Sequence, residues 1–229
     1  LDHLDEQITA VEKELEKIGE ELRHKADALS QQRLRLAKQL TAAMQAELKS
    51  LSFHQALFEV SVDTGNAEDT STLSAAGSDT VTFLFSANPG EPPKPLTEVV
   101  SGGELSRLML SMKCLLARRD KVDTVIFDEI DAGISGEAAE AVARKIDELA
   151  GHHQVFCITH LPQIAAYADA HFLVDKEVDA NRTFTTIHPL AYNERVKELA
   201  RMLGGDNPSE QTLIFARELL EGRADKKKR

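Results

Sequence analysis

Residues 123–133 read Asp-Thr-Val-Ile-Phe-Asp-Glu-Ile-Asp-Ala-Gly, and this stretch decides how the rest of the chain is interpreted. Its apolar start is rich in β-branched residues and does not alternate with polar ones. That pattern predicts a short strand buried on both faces. Asp128 and Glu129 follow directly, so they are expected at the exposed C-terminal end of the strand. Adjacent carboxylates there favour a bound cation, although a surface turn after a core strand gives the same pattern.

Two further motifs flank this strand in sequence. Ser101-Gly102-Gly103-Glu104 precedes a helical pattern, and Thr159-His160 ends a second apolar strand. Ser101 can cap the helix, with Glu104 three residues later as in a capping box. The glycine pair leaves bare backbone N–H groups at a positive helix end, an arrangement that holds phosphate oxygens. A plain helix start is the alternative for this motif taken alone.

The composition limits the class of protein. The 229 residues suffice for one large domain or for a domain with an extension, and 27 basic against 38 acidic residues give a net charge of −11. This charge does not fit an autonomous nucleic-acid binder. The sequence shows no apolar run of membrane-spanning length and no signal peptide, so no membrane partner and a cytoplasmic location are expected. Cys114 and Cys157 are predicted to be buried thiols rather than disulfide partners or metal ligands.

The first segment, residues 1–51, is predicted to be a coiled-coil arm. Its apolar residues recur in steps of three and four, which needs a partner helix to cover the seam. The alternative is two core helices joined near Ser30. The seam positions are Leu1, Leu4, Ile8, Val11, Leu15, Ile18, Leu22 and Leu29.

Residues 52–223 are predicted to form an α/β lobe, and residues 224–229 a solvated basic tail. Strand patterns at 58–62 and 81–85 are expected to pair antiparallel across a flexible loop at 63–79. Further on, strands and helices alternate, which predicts a mostly parallel sheet flanked by helices. The helices are expected near 101–119, 137–150, 193–203 and 210–220, and the later strands near 155–159, 172–174 and 183–187. The first of these helices is expected to bury Leu105, Leu108, Met109, Met112, Leu115 and Leu116.

The residue types at the strand ends indicate nucleotide chemistry. Asp128 would orient a hydrated Mg²⁺, and Glu129 would polarise an attacking water. His160, at the tip of a neighbouring strand, could reach a terminal phosphate. A metal-ligand role for His160 is less attractive, because no second His or Cys stands at ligand spacing around it.

The motifs together resemble those of ABC-type ATPases in their SMC form. Residues 100–107 look like the signature motif, 124–129 like the Walker B strand, 131–135 like the D-loop and 158–160 like the switch-histidine strand. Within this family the resemblance is to the bacterial SMC-like ATPases of DNA double-strand-break repair, and it covers about residues 58–220.

The resemblance implies a head built from two lobes, with an antiparallel coiled coil between them in sequence. Such heads dimerise around two molecules of ATP with Mg²⁺. By motif correspondence, residues 101–104 belong to the nucleotide-binding group, with Ser101 to Gly103 facing the γ-phosphate bound to the opposite head. Asp128, Glu129 and His160 would serve the nucleotide of their own head, and Asp131 would lie at the head-to-head contact. The implied partners are the chain's own N-terminal lobe with its ascending coiled-coil strand, a second head, and DNA.

One departure from the family pattern is large. The sequence contains no G-x-x-x-x-G-K-[ST] and no assignable Q-loop. In this family these elements lie in the N-terminal lobe. The chain is therefore expected to be the C-terminal half of such a protein and to be inactive in ATP hydrolysis by itself.

Three other functions stay open at this point. A metal-dependent nuclease could use Asp128, Glu129 and Asp131 as a carboxylate cluster. A different SMC-like repair ATPase would share the motifs. A non-catalytic coiled-coil scaffold would explain the heptads but not the acidic strand.

Overall fold

The structure is a computed structural model that describes residues 2–65, 73–99, 101–179 and 182–226. The chain divides into two compact units. The first comprises residues 1–46 and 55–99, and the second comprises residues 47–54 and 100–229. Each unit is described separately below. The functional division into an arm, a lobe and a tail stays a prediction.

The chain opens with one continuous helix, α1, which spans Asp2–Ser50. The single helix predicted from the heptads is confirmed, and there is no break near Ser30. The side chains of the heptad seam are largely exposed. Their exposed fractions are 60% for Leu4, 50% for Ile8, 56% for Val11, 64% for Leu15, 47% for Ile18 and 44% for Leu22.

The first unit adds a small antiparallel sheet to the N-terminal part of α1. Strands β1 (Leu57–Asp63) and β2 (Thr80–Ser86) pair antiparallel, as predicted, and β3 (Lys94–Pro95) joins the edge of β2. Arg33 of α1 donates to Asp79 at 2.8 Å, and Ser30 donates to the same carboxylate, so the residue before β2 is fixed to the helix. Of the loop predicted at 63–79, residues 66–72 lie outside the described residues.

The second unit contains the α/β core. Helix α2 (Gly102–Leu116) leads to strand β4 (Thr124–Phe127), and helix α3 (Gly136–Ala150) leads to strand β5 (Gln154–Cys157). Strands β4 and β5 pair in parallel, as the alternation of elements predicts. Residues from both helices and both strands pack in one apolar cluster that includes Leu110, Val125, Phe127, Val142, Leu149, Val155 and Cys157. Within the described residues, β4 and β5 form the parallel pair, and the other strand pairs are antiparallel.

The prediction that β4 is buried on both faces is wrong for this chain. Val125 and Phe127 point into the core, but Ile126 is 67% exposed. The neighbouring strand gives the same result, since Phe156 of β5 is 47% exposed and Ile158, directly after β5, is 60% exposed. Successive side chains of a strand point to opposite faces, and here the helices α2 and α3 pack on the face that carries Val125 and Phe127. The second apolar face of the β4–β5 pair is open.

The predicted buried face of α2 is wrong in part. Leu108 is buried as expected, but Met109 and Leu116 are 38% and 42% exposed. Arg107 and Ser111 take buried places instead. Apolar periodicity could not predict this face, because two of its buried side chains are polar. They can be buried because they donate hydrogen bonds to main-chain carbonyl groups. Ser111 Oγ, for example, donates to the carbonyl of Arg107 at 3.2 Å.

The rest of the second unit is a hairpin and three helices. Helix α4 (Pro162–Ala165) is followed by the antiparallel strands β6 (Phe172–Asp179) and β7 (Arg182–Pro189). Helices α5 (Tyr192–Gly204) and α6 (Glu210–Lys226) then pack against α4 through a second apolar cluster. Helix α6 runs into the predicted tail, of which residues 227–229 lie outside the described residues. None of the helices in the described ranges combines the length and the apolar character needed to cross a membrane.

Candidate functional site

The N-terminal turns of α2 lie against the segment that follows β4. Ser106 Oγ donates to the main-chain carbonyl of Asp128 at 3.0 Å. Arg107 Nη1 donates to the carbonyls of Ala132 at 2.8 Å and Ile130 at 3.3 Å. These bonds fix the predicted signature motif to the end of the predicted Walker B strand and to the predicted D-loop within one chain.

Glu129 adopts a backbone conformation that non-glycine residues rarely adopt, with a φ of 56°. Its N–H donates to Asp128 Oδ1 at 2.9 Å, so the two acidic residues share a tight local turn. A Cβ placed on Gly102 would lie 2.5 Å from Glu129 Oε2. The carboxylate of Glu129 therefore lies beside the N-terminus of α2, where the helix dipole and the unpaired N–H groups favour negative charge.

The glycine pair has a packing explanation as well as the predicted phosphate role. A Cβ on Gly103 would lie 2.9 Å from both the Cβ and the carbonyl oxygen of Ala132. Those atoms belong to a neighbouring backbone segment, so only glycine allows this approach. Ser101 Oγ accepts from the N–H of Glu104 at 3.4 Å, which confirms the predicted N-cap.

Asp131 is the buried acidic group of the site. Its side chain is 5% exposed, and its Oδ2 accepts from Thr159 Oγ1 at 2.6 Å and from the N–H of His160 at 2.8 Å. The same oxygen lies 3.0 Å from His160 Nδ1. The imidazole itself is 74% exposed. Asp131 thus connects the segment after β4 to the segment after β5.

The predicted site residues fall into two contacting groups. Glu129 meets Gly102 at the start of α2, and Asp131 meets His160 after β5. The exposed Asp128 precedes Glu129 in the same turn. His160 is exposed, as a phosphate-contacting residue must be, and it reaches the acidic segment through Asp131.

The carboxylate cluster needed for a nuclease is not assembled. The carboxylate of Asp131 accepts instead from Thr159 Oγ1 and from the N–H of His160. Within the described ranges, no group of three or more His, Cys, Asp or Glu side chains is arranged to hold a metal ion. The nuclease interpretation is therefore not favoured.

Sequence reasoning missed the roles of Ser106, Arg107 and Thr159. Arg107 is 6% exposed, and its guanidinium lies 5.1 Å from the centre of the Phe53 ring. Burial lowers the pKa of Arg107, and the charge of Glu104 opposes that shift. A sequence signal existed for Arg107, because a charged residue interrupts the apolar pattern of α2. That signal does not say which carbonyl groups the side chain meets.

The two cysteines carry free thiols, and both are half-buried rather than fully buried as predicted. Burial raises the pKa of Cys157 to about 12, and the charges of Asp131 and Asp128 act in the same direction. Burial also raises the pKa of Cys114 to about 12. Both thiols therefore stay protonated at neutral pH, which makes them inert packing groups.

Comparison with curated proteins gives relatives along nearly the whole chain. The chain is 40% identical over 219 residues to DNA repair protein RecN of Halalkalibacterium halodurans, and 40% identical over 231 residues to DNA repair protein RecN of Bacillus subtilis. It is 42% identical over 216 residues to DNA repair protein RecN of Treponema pallidum. These alignments cover 96%, 96% and 94% of this chain and 39%, 40% and 38% of the relatives. The chain thus spans about two fifths of the length of these relatives.

Solved structures agree with the fold. The Smc head domain with a coiled coil and joint from Pyrococcus yayanosii superposes with a TM-score of 0.52 at 19% identity, over 72% of this chain and 29% of that one. The Smc head domain with an extended coiled coil from Pyrococcus furiosus, bound to the C-terminal domain of ScpA, gives a TM-score of 0.52 at 20% identity, over 81% of this chain and 44% of that one.

At these identities the likeness shows the fold, which is that of an SMC-type head lobe with a long N-terminal helix. A scan against protein-family models gives no match. Over nearly its whole length, the chain is therefore similar to a part of the proteins named DNA repair protein RecN.

Proposed function

We propose that this chain forms the signature-bearing lobe of an ATP-hydrolysing head that acts in recombinational repair of DNA double-strand breaks. The observation that carries the proposal is that hydrogen bonds join three predicted motifs. Ser106 in the first turns of α2 donates to the carbonyl of Asp128 in the acidic turn, and the N–H of His160 donates to Asp131 just after that turn. The proposal is supported by relatives at about 40% identity that are named DNA repair proteins. A cytoplasmic location and contact with DNA through the whole assembly belong to the same proposal.

Asp128 and Glu129 are assigned the hydrolytic roles. Asp128 is an exposed carboxylate at a strand end, and this donor type fits the oxygen ligands that Mg²⁺ prefers. Bound Mg²⁺ would neutralise charge on the phosphates. Glu129 would orient the attacking water and accept its proton, a contribution of about 10² to 10⁴ in rate.

His160 and the start of α2 are assigned to two different nucleotides. His160 would contact the terminal phosphate bound to its own head. The backbone N–H groups of Ser101 to Gly103 would meet the γ-phosphate bound to a second, identical head. The predicted place of Asp131 at the head-to-head contact stays a prediction, since its carboxylate points inward in the single chain.

The missing phosphate-binding loop points to an N-terminal lobe as an obligatory partner. The open apolar face of the β4–β5 pair, formed by Ile126, Phe156 and Ile158, is a surface for that lobe. The exposed heptad seam of α1 is likewise a surface for the ascending strand of the coiled coil. Burial of these faces would complete the sheet and the arm. The chain by itself is accordingly proposed to be inactive.

Two variants of the full-length protein test the assignment together. Ser101→Arg places a bulky cation where the γ-phosphate of the opposite nucleotide would lie, so it should block ATP-driven dimerisation while each monomer stays folded. Glu129→Gln keeps the shape of the side chain but removes the base, so it should permit dimerisation and slow hydrolysis. Light scattering with ATP and a phosphate-release assay measure the two effects. ATP-driven dimers of Ser101→Arg, or unchanged turnover of Glu129→Gln, would contradict the roles given to these residues.

A further inference from the structure

We propose that Asp131 is a positioning residue that orients the imidazole of His160 and fixes which of its ring nitrogens meets the phosphate. This inference rests on the proposed function of His160, and it gives Asp131 a role within one chain.

The geometry separates the buried carboxylate from the exposed ring. Two hydrogen bonds converge on one oxygen, Asp131 Oδ2, since Thr159 Oγ1 donates to it at 2.6 Å and the N–H of His160 donates to it at 2.8 Å. Nδ1 of His160 lies 3.0 Å from the same oxygen, so the carboxylate holds the backbone of His160 and lies beside its ring. Thr159 Oγ1 also accepts from the N–H of Leu161 at 3.0 Å, so the turn after β5 is braced on both sides of the histidine.

The contact between Asp131 and His160 bears on which ring nitrogen carries a proton. A carboxylate accepts hydrogen bonds and donates none, so the proposal places a proton on Nδ1 of His160, 3.0 Å from Asp131 Oδ2. Nε2 is then the nitrogen that is left to meet a ligand at the exposed edge. To donate to a phosphate oxygen, Nε2 must be protonated as well, and the ring then carries a positive charge.

The first test needs no enzymatic activity. In the chain labelled with ¹⁵N-histidine, the His160 resonances are assigned by comparison with His160→Gln, and the ¹⁵N shifts then report which nitrogen carries the proton in the neutral ring. The proposal expects the Nδ1–H form for His160, whereas exposed histidines such as His152 should favour Nε2–H. An Nε2–H form of His160 would overturn it. Because this readout is made on the unaltered residue, poor folding of a variant cannot obscure it.

The second test is a double-mutant cycle in the full-length protein. Asp131→Asn keeps the shape of the side chain and removes its charge, and it should lower kcat by about 10- to 100-fold, the range seen when an orienting carboxylate is lost. In a His160→Gln background the same change should alter kcat by less than about twofold, because the two residues act as one unit. An equal loss in both backgrounds would show that Asp131 acts only through the fold and would overturn the proposal.

The two tests separate the failure of this inference from that of the proposed function. If the full-length wild-type protein hydrolyses no ATP, the proposed function fails, while the ¹⁵N shifts still decide whether Asp131 holds Nδ1. If the wild type is active but Asp131→Asn has its full effect without His160, the proposed function survives and the role of Asp131 is refuted. Thr159→Val is the matched control, since it removes a donor from the same oxygen and leaves the charge in place. Its loss of kcat should be smaller than that of Asp131→Asn.

Discussion

The guanidinium of Arg107 donates to the main-chain carbonyl of Ala132 at 2.8 Å, and this bond joins the helix that starts at the glycine pair to the segment that follows the acidic turn. A second bond from the same nitrogen reaches the carbonyl of Ile130. Arg107 is buried, and its guanidinium lies over the ring of Phe53. Its hydrogen bonds therefore connect the predicted signature motif to the segment after the acidic turn, and we call this side chain the Arg107 brace.

Replacing this brace should cost stability. Arg107→Met keeps much of the apolar contact with Phe53 but leaves two main-chain carbonyls without their donor. The expected loss is about 1 to 3 kcal/mol in the free energy of unfolding, measured by urea denaturation of the chain. Arg118→Met, at an exposed arginine, is the matched control and should change that free energy by about 0.5 kcal/mol or less. Equal effects of the two changes would contradict the brace.

Gly103 should not tolerate a methyl group. In Gly103→Ala the new Cβ would lie 2.9 Å from the Ala132 carbonyl oxygen, so the backbone must shift. A loss of about 1 to 3 kcal/mol in stability is expected. The control is Gly222→Ala in α6, where a Cβ would have no neighbour within 4 Å. Since alanine favours helix, this control should be neutral or stabilising by up to about 1 kcal/mol. A Gly103→Ala chain as stable as the wild type would show that the two segments are not closely packed.

Gly102 should respond differently from Gly103. The atom that a Cβ on Gly102 would meet is the terminal oxygen of a flexible side chain, Glu129 Oε2 at 2.5 Å. Gly102→Ala should therefore leave the free energy of unfolding within about 1 kcal/mol of the wild type and displace the carboxylate. In the full-length protein the rate of ATP hydrolysis should fall. A variant that loses as much stability as Gly103→Ala would argue against this placement of Glu129.

The free energy of unfolding should fall at alkaline pH because of the two thiols. Burial raises the pKa of Cys114 and Cys157 to about 12 from an ordinary value of 9.0. Between these two values the unfolded chain loses the thiol protons while the folded chain keeps them. The stabilisation is therefore complete below pH 9 and is lost as the pH rises toward 12, by on the order of 1 kcal/mol per pH unit for each thiol.

The control for this effect is Cys114→Ala/Cys157→Ala, which removes both thiols. The free energy of unfolding is measured by urea denaturation at about pH 8 and about pH 10. The fall between these two values should be smaller in the double variant than in the wild type. Identical falls would show that the thiols are not buried.

Much of the fold follows from local pattern. The continuous α1, the antiparallel pairing of β1 with β2 and the β4–α3–β5 crossover were all predicted, because heptads, alternation and short apolar runs report local geometry directly. The pattern could not reveal that Ile126 lies on an open face. An apolar residue gives the same sequence signal whether or not the residues that would pack against it belong to the same chain. The two strands of the β6–β7 hairpin and helix α6 are longer than predicted.

The sequence could propose members of the candidate site but not their contacts. Asp128, Glu129, Ser101 and His160 were proposed because their motifs occur in a fixed order, and their functional roles stay a prediction. The buried place of Asp131 was not proposed, because it depends on how the segments after two strands meet. Arg107 was missed for the same reason.

Two neighbouring residues of β4, Ile126 on the open face and Val125 in the core, allow a matched comparison of variants. Ile126→Lys changes an exposed position, so it should leave the stability of the chain within about 0.5 kcal/mol, yet it should block assembly with the N-terminal part of the protein. Val125→Lys, one residue earlier and 8% exposed, should instead unfold the chain, because it buries an unpaired charge. Urea denaturation and size-exclusion chromatography of the mixture measure the two effects. Normal assembly of the Ile126→Lys chain would remove this face as the docking surface.

The central claim is that this chain supplies the acidic turn, the histidine and the signature helix of a composite ATPase, and mixing it with the proposed N-terminal lobe tests that claim most directly. The account predicts no ATP hydrolysis by the chain alone, hydrolysis by the mixture, and loss of that hydrolysis in Glu129→Gln. Turnover by the purified chain alone that Glu129→Gln abolishes would contradict it, as would an assembled mixture that hydrolyses no ATP.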